Sequence, residues 1–236
     1  MKLIIFGPPG SGKGTYSSRM QPVLNIKRIA TGDIYRDEMK RNTALGKKAA
    51  IYYNKGELVP DDITIDMLKG KLDEIGKNNF ILDGFPRTVE QAKALEKIVK
   101  LDALILIVAP EEILIEKASA RRICSNTKCD GNYNLADIHK TIKDKETNKD
   151  IEYILPPLLP KKDGICDKCD SELIQRTEDA DENMIKKRLK VYEDKSKPVL
   201  KYFKGKMSIV RIYMSRPPEV VVENIVKEVK KLGLNK

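Results

Sequence analysis

Nine residues near the start of the chain, GPPGSGKGT at positions 7–15, have the composition of an anion cradle. Glycines let a backbone curl until successive N–H groups converge on one point, and a helix that follows adds its positive end. Lys13 supplies a point charge suited to the outer phosphates of a polyphosphate. The usual phosphate-loop pattern has Ser or Thr directly after the lysine; here Gly14 intervenes and Thr15 follows. An apolar run before the loop predicts the strand–loop–helix setting that separates such a cradle from an ordinary glycine turn. The four cysteines offer a second chemistry. Cys124-x4-Cys129 and Cys166-x2-Cys169 supply four thiolates from two turns, a donor set that suits tetrahedral zinc. With four protein ligands no position stays open for water or substrate, so such an ion is structural.

These groups need a scaffold. At 236 residues, with 41% hydrophobic and 34% charged, the chain can bury a sizeable core and reads as globular. Its longest apolar runs, LIIF and ALILIVA, are too short to span a bilayer. The opening MKLIIFGPPG does not have the form of a secretion signal, so a cytoplasmic setting is expected. There, paired cysteines hold metal more often than they form disulfides. A net charge of +10 fits either nucleic acid or small polyphosphates as partners and does not choose between them.

Five short apolar segments recur at residues 3–6, 28–31, 80–83, 103–109 and 208–214, with helical patterns between them. TVEQAKALEKIVK puts Val89, Ala92, Leu95 and Val99 on one helix face. PPEVVVENIVKEVKKLG opens with proline and stops at glycine, as a helix does. Strands alternating with helices predict a parallel sheet covered on both faces. Two stretches break the rhythm: residues 30–59 read as helices without a strand, and residues 121–179 hold all four cysteines with little helical periodicity. Both are read as insertions on a core made of residues 1–29, 60–120 and 180–236.

The displaced loop, together with ATGDIYR (30–36), GELVPDD (56–62), LDGFPRT (82–88) with Gln91, ARRIC (120–124) and QRTEDADENMIKKRL, resembles the adenylate kinases among the nucleoside monophosphate kinases. The motifs run in that family's order along nearly the whole chain. The resemblance implies an α/β fold of P-loop NTPase type: a five-stranded parallel sheet flanked by helices, a helical insertion for the acceptor nucleotide at 30–59, and a long zinc-braced lid at 121–179. It implies reversible phosphoryl transfer from MgATP to AMP, giving two ADP and maintaining the adenine nucleotide balance, in a monomer. The nucleophile would be an AMP phosphate oxygen, already ionised near neutral pH, so no general base is required and the sole histidine, His139, is expected on the lid surface.

By resemblance, Gly10, Ser11, Gly12, Lys13, Gly14 and Thr15 hold the phosphates of ATP, with Arg121 and Tyr133 on the same side. Arg36 and Arg87 look like the residues that grip the AMP phosphate, and Arg188 matches another phosphate-facing arginine. Guanidinium forks suit bidentate contact with phosphate. Arg176 matches as well, although the segment between Arg176 and Arg188 is one residue longer than usual, so either a local bulge keeps Arg176 on the phosphates or its role is weakened. Lys117 stands where relatives carry arginine, keeping the charge without the fork. AMP identity would rest on Thr31, Glu57, Leu58, Val59, Gly84, Phe85, Pro86 and Gln91; an amide both donates to and accepts from adenine. Thr31 fits adenylate kinases better than uridylate or cytidylate kinases. Asp83, ending a strand beside the loop, would hold Mg²⁺ through water, and Asp33 is structural or on the AMP side. Open alternatives are another acceptor (UMP or CMP), GTP as donor, or, in a different class, a zinc-dependent nucleic-acid-binding protein. Against the last, the cysteine region interleaves few aromatics, only Tyr133 and Tyr153. The segment ADIHKTIKDKETNKDIEY looks like an extra insertion without a derivable form.

Overall fold

The computed structural model describes residues 1–55, 57–126, 128–176 and 179–234. With strands numbered in chain order, β1 (Lys2–Phe6), β2 (Lys27–Ala30), β3 (Phe80–Asp83), β4 (Ala103–Val108) and β10 (Ser208–Tyr213) form one sheet. Its order is β10-β4-β1-β3-β2, and every pairing is parallel. Successive strand residues point to opposite faces. Leu3 and Ile5 therefore join Ile81 and Ile105 against Met20 of helix α1 (Lys13–Leu24) and Val221, Ile225 and Val229 of α9 (Pro218–Lys231). Ile4 joins Leu82 and Leu104 on the other face, under α4 (Asp61–Ile75), α5 (Val89–Ile98) and α8 (Pro198–Phe203). Both faces are covered, which is why the central strands read as unbroken apolar runs. Each fully buried Leu or Ile contributes about 1.5–3 kcal/mol relative to exposure.

The predicted α5 face packs as its spacing requires: Ala92 and Leu95 are buried, and the Thr88 hydroxyl caps the helix by accepting from the Gln91 N–H at 3.1 Å. Residues 31–53 form α2 (Thr31–Lys40) and α3 (Ala44–Tyr53). Helices α6 (Glu111–Ser119) and α7 (Glu182–Val191) flank the second insertion, and a π-helical turn at Tyr192–Ser196 leads from α7 to α8. Among the described residues, no helix is long and apolar enough to cross a membrane.

The second insertion is built of strands and divides in two. Strands β5 (Arg121–Cys124), β6 (Asn132–Asn134) and β9 (Leu173–Ile174) make an antiparallel sheet in the order β6-β5-β9, which carries the cysteines. The extra segment forms a hairpin, β7 (Ile138–Lys143) with β8 (Asp150–Leu155), in register Ile138 to Leu155 and Thr141 to Glu152. That hairpin is docked on the core. Ile138, Tyr153 and Leu155 share a buried cluster with Ile212 and Ile225. The Ile154 N–H donates to the Ser215 carbonyl at 3.0 Å, and Arg211 pairs with Asp144 at 2.9 Å and Glu146 at 2.6 Å. His139 stands exposed on β7, beside Asp137.

Candidate active site

The loop between β1 and α1 turns through left-handed backbone. Gly12, the residue before α1, has φ +79°, and a Cβ there would come 2.8 Å from the Tyr16 ring, so only glycine fits. The Ser11 hydroxyl donates to the Pro8 carbonyl at 2.8 Å, fixing the curl from inside. Lys13 folds its ammonium back over the loop, donating to the Pro8 carbonyl at 2.6 Å and Ser11 Oγ at 3.4 Å. Burial lowers its pKa to about 7; the carboxylate of Asp83 opposes this, while Arg87, Arg188 and Arg121 push it further down. A buried lysine with three arginines close enough to repel it marks a site built for an anion.

A cavity of about 270 Å³ opens over this loop. Of the predicted residues, Gly10, Gly12, Lys13, Gly14, Thr15, Arg36, Asp83, Gly84, Arg87, Arg121, Tyr133, Arg176 and Arg188 line it, as does Lys117. The β5–β6–β9 sheet forms its roof: Asn132 Nδ2 donates to Thr15 Oγ1 at 3.3 Å. A smaller cavity of about 40 Å³ adjoins, lined by Glu57, Leu58, Val59, Gly84, Arg87 and Gln91 with Tyr35 and Tyr53.

Four predicted residues line neither cavity. Ser11 is buried in the loop's interior. The Thr31 hydroxyl is spent on the Gly84 carbonyl at 3.1 Å, so it holds that turn. Phe85 packs in the core beneath, and Pro86 follows it across a cis peptide bond. Tyr133 has a further contact. It lines the cavity, and its hydroxyl accepts from the Asp167 N–H at 2.7 Å and donates to Cys166 Sγ at 3.8 Å. Residues 177 and 178, within the segment between Arg176 and Arg188 where a bulge is expected, lie outside the described residues.

Several of the arginines are held by carboxylates. Arg36 donates to Tyr53 Oη at 2.8 Å and pairs with Asp33. Arg87 Nε donates to the Gly84 carbonyl at 2.8 Å. Arg28, not foreseen from the sequence, bridges Asp83 at 2.8 Å and Asp33 at 2.7 Å. All three hydrogen bonds that Asp83 accepts among the described residues, from Ser17 and Arg28, fall on Oδ2. Asp179, also unforeseen, has a fully buried side chain that accepts from Arg121 Nε at 2.8 Å and from Arg188 Nη1 at 2.9 Å. In the sequence it lies in TEDADEN, an acidic run that reads as a solvated surface.

The cysteines converge below the roof. Sγ atoms of Cys124, Cys129, Cys166 and Cys169 all lie within 4.8 Å of one another, with Cys124 to Cys169 at 3.3 Å and Cys129 to Cys166 at 3.7 Å. Four thiolates around zinc at about 2.3 Å stand about 3.8 Å apart, so this donor set fits the ion. The fit has a second mark: a Cβ on Gly131 would lie 2.5 Å from Cys166 Sγ, so the backbone there is pressed against the cluster. Cys169 Sγ donates to Ser171 Oγ at 3.5 Å, and hydrogen bonding to Ser171 lowers that thiol's pKa to about 6.

Comparison with known proteins agrees with this arrangement. The profile of the adenylate kinase family matches residues 5–208. An adenylate kinase of Caldicellulosiruptor bescii is 39% identical, covering 99% of this chain and 100% of its own. One of Clostridium tetani is 37% identical over 95% and 96%, and one of Methanocella arvoryzae 39% over 99% and 100%.

Proposed function

The chain belongs to the adenylate kinase family and is an ATP:AMP phosphotransferase, and from that premise we propose how its residues divide the work. The observation that carries the reading is the convergence of Lys13, Arg36, Arg87, Arg121, Arg176 and Arg188 on one cavity above a glycine loop. An ionised AMP phosphate needs no base to attack; it needs alignment, positive charge and exclusion of water. Gly10, Gly12, Lys13, Gly14 and Thr15 bind the ATP phosphates by backbone N–H groups and one ammonium, on a loop that Ser11 shapes. Arg36 and Arg87 clamp the AMP phosphate. Arg121, Arg176 and Arg188 follow the transferring group, with Asp179 holding two of them in place. Lys117 gives the ATP side a charge without a fork, so bidentate contact is not made from that position.

The smaller cavity takes the AMP base, with the 57–59 backbone and Gln91 reading it and Thr31 supporting Gly84. Mg²⁺ accompanies ATP in adenylate kinases, neutralising charge on the outer phosphates; Asp83 would hold it through water. Zinc would be held by Cys124, Cys129, Cys166 and Cys169 and would brace the roof that carries Arg121. Residues 30–59 and the cysteine-bearing part of 121–179 act as flaps over AMP and ATP, and their closure keeps water from competing as acceptor. The working form is a cytoplasmic monomer that does not bind nucleic acid.

A coupled phosphotransfer assay across nucleotide pairs, on protein of measured metal content, tests this reading. ATP with AMP is expected to be the fastest pair. Comparable turnover with UMP, CMP or a GTP donor overturns the base assignment. Salt-dependent RNA binding that persists in Lys13→Ala would show a second activity.

A further inference from the structure

Gln91 is 2% exposed, and both ends of its amide are already engaged. Its Oε1 accepts from the Arg87 backbone N–H at 2.7 Å. Its Nε2 donates to Asp61 Oδ1 at 2.7 Å. The second oxygen of Asp61 accepts from the Thr88 hydroxyl at 2.8 Å, so the carboxylate is itself fixed. Asp61 does not line the small cavity; Gln91 does.

An ionised carboxylate can only accept and a backbone N–H can only donate. Rotating the amide by half a turn would set Nε2 against the Arg87 N–H and Oε1 against the Asp61 carboxylate, giving two like-against-like contacts. One orientation is therefore enforced from both sides. An amide has two N–H donors and two carbonyl lone pairs, so one of each remains for a ligand. Adenine offers a donor at N6 beside an acceptor at N1. A 6-oxopurine offers the reverse, an acceptor at O6 beside a donor at N1, and would need the rotated amide.

We propose that Asp61 is a positioning residue that sets base specificity: by locking the Gln91 amide it admits 6-aminopurine monophosphates and rejects 6-oxopurine ones. This rests on the reading above that Gln91 faces the acceptor base. A site whose polar groups are locked discriminates by leaving the wrong partner unpaired, whereas a freely rotating amide fits both patterns. Asp61 also opens α4, where a negative charge favours the helix N-terminus, so a loss of stability alone would not distinguish the role.

The test is the ratio of kcat/KM for AMP to that for IMP, with ATP as donor, in the parent enzyme, Asp61→Ala, Asp61→Asn and Gln91→Ala. Asp61→Ala is expected to lower that ratio by about 10-fold or more, leaving the KM for ATP unchanged. Asp61→Asn keeps an acceptor for Nε2 and is expected to restore most of the preference. A simple weakening of the helix start would reduce turnover with both acceptors alike and leave the ratio where it was. If Gln91→Ala loses the preference and Asp61→Ala keeps it, Asp61 does not orient the reader and the proposal falls. If Gln91→Ala itself keeps the preference, Gln91 is not the reader, and the assignment falls together with the proposal built on it.

Discussion

Nucleotide binding is expected to draw a proton onto Lys13. In the structure its pKa stands at about 7, chiefly because burial disfavours the ammonium, with Arg87, Arg188 and Arg121 adding repulsion. A phosphate charge about 4 Å away contributes about 4 kcal/mol at an effective dielectric of about 20, or about three pKa units. Lys13 is then fully ionised in the complex at any pH up to about 9. At pH 8 the nucleotide-free lysine holds about 0.1 proton, so binding takes up about 0.9; at pH 6 it takes up only about 0.1. Titration calorimetry with a non-hydrolysable ATP analogue, in buffers of different ionisation enthalpy such as Hepes and Tris, reads the proton count as a slope. Lys13→Arg is the control, since guanidinium is charged throughout. Lys117 lines the same cavity and burial lowers its pKa to about 8, so it contributes to both proteins alike. The difference between parent and Lys13→Arg is expected to rise with pH from near zero to about 0.9 proton. A parent slope at pH 8 no larger than that of Lys13→Arg would refute the reasoning.

Three further outcomes follow from other contacts. Asp179→Ala leaves the Arg121 and Arg188 guanidiniums without their shared buried carboxylate, so unfolding free energy should fall by about 3 kcal/mol and kcat by more than the KM values rise, checked by urea titration and steady-state kinetics. Stripping zinc from metal-loaded protein with a strong chelator should lower Tm by roughly 5 °C, with faster hydrogen exchange confined to the cysteine-bearing sheet; superimposable melting curves would count against a brace. Arg211→Ala breaks two ion pairs, one to the largely buried Asp144, and should cost about 2 kcal/mol in urea titration while the KM for AMP stays unchanged.

The core strands were legible because their residues are buried on both sides, and a run such as ALILIV admits few alternatives. The loop glycines were equally plain, since left-handed backbone leaves little choice of residue at Gly12. The hairpin was harder. Ile151, Tyr153 and Leu155 alternate as a strand should, but the facing strand pairs Lys140 with Tyr153, and charged residues blur the period. Asp179 and Asp61 were illegible for another reason: their roles come from partners distant in sequence, 58 residues to Arg121 and 30 to Gln91. The family resemblance put Tyr133 on the ATP side, and it could not show that the hydroxyl bonds to Cys166 and the Asp167 N–H, 33 and 34 residues away.

The docked hairpin bears on how the molecule keeps to itself. Strand β10 is outermost in the five-stranded sheet, and an outermost strand offers unpaired N–H and C=O groups to any neighbouring chain. Ile212 and Arg211 are consecutive in that strand, so their side chains leave opposite faces. Ile212 shares its buried cluster with Ile138, Tyr153 and Leu155, while Arg211 is gripped by Asp144 and Glu146. The hairpin therefore holds side chains from both faces of this end strand. The hairpin thus ties this half of the insertion to the end strand of the sheet through side chains, none of them from the four clustered cysteines.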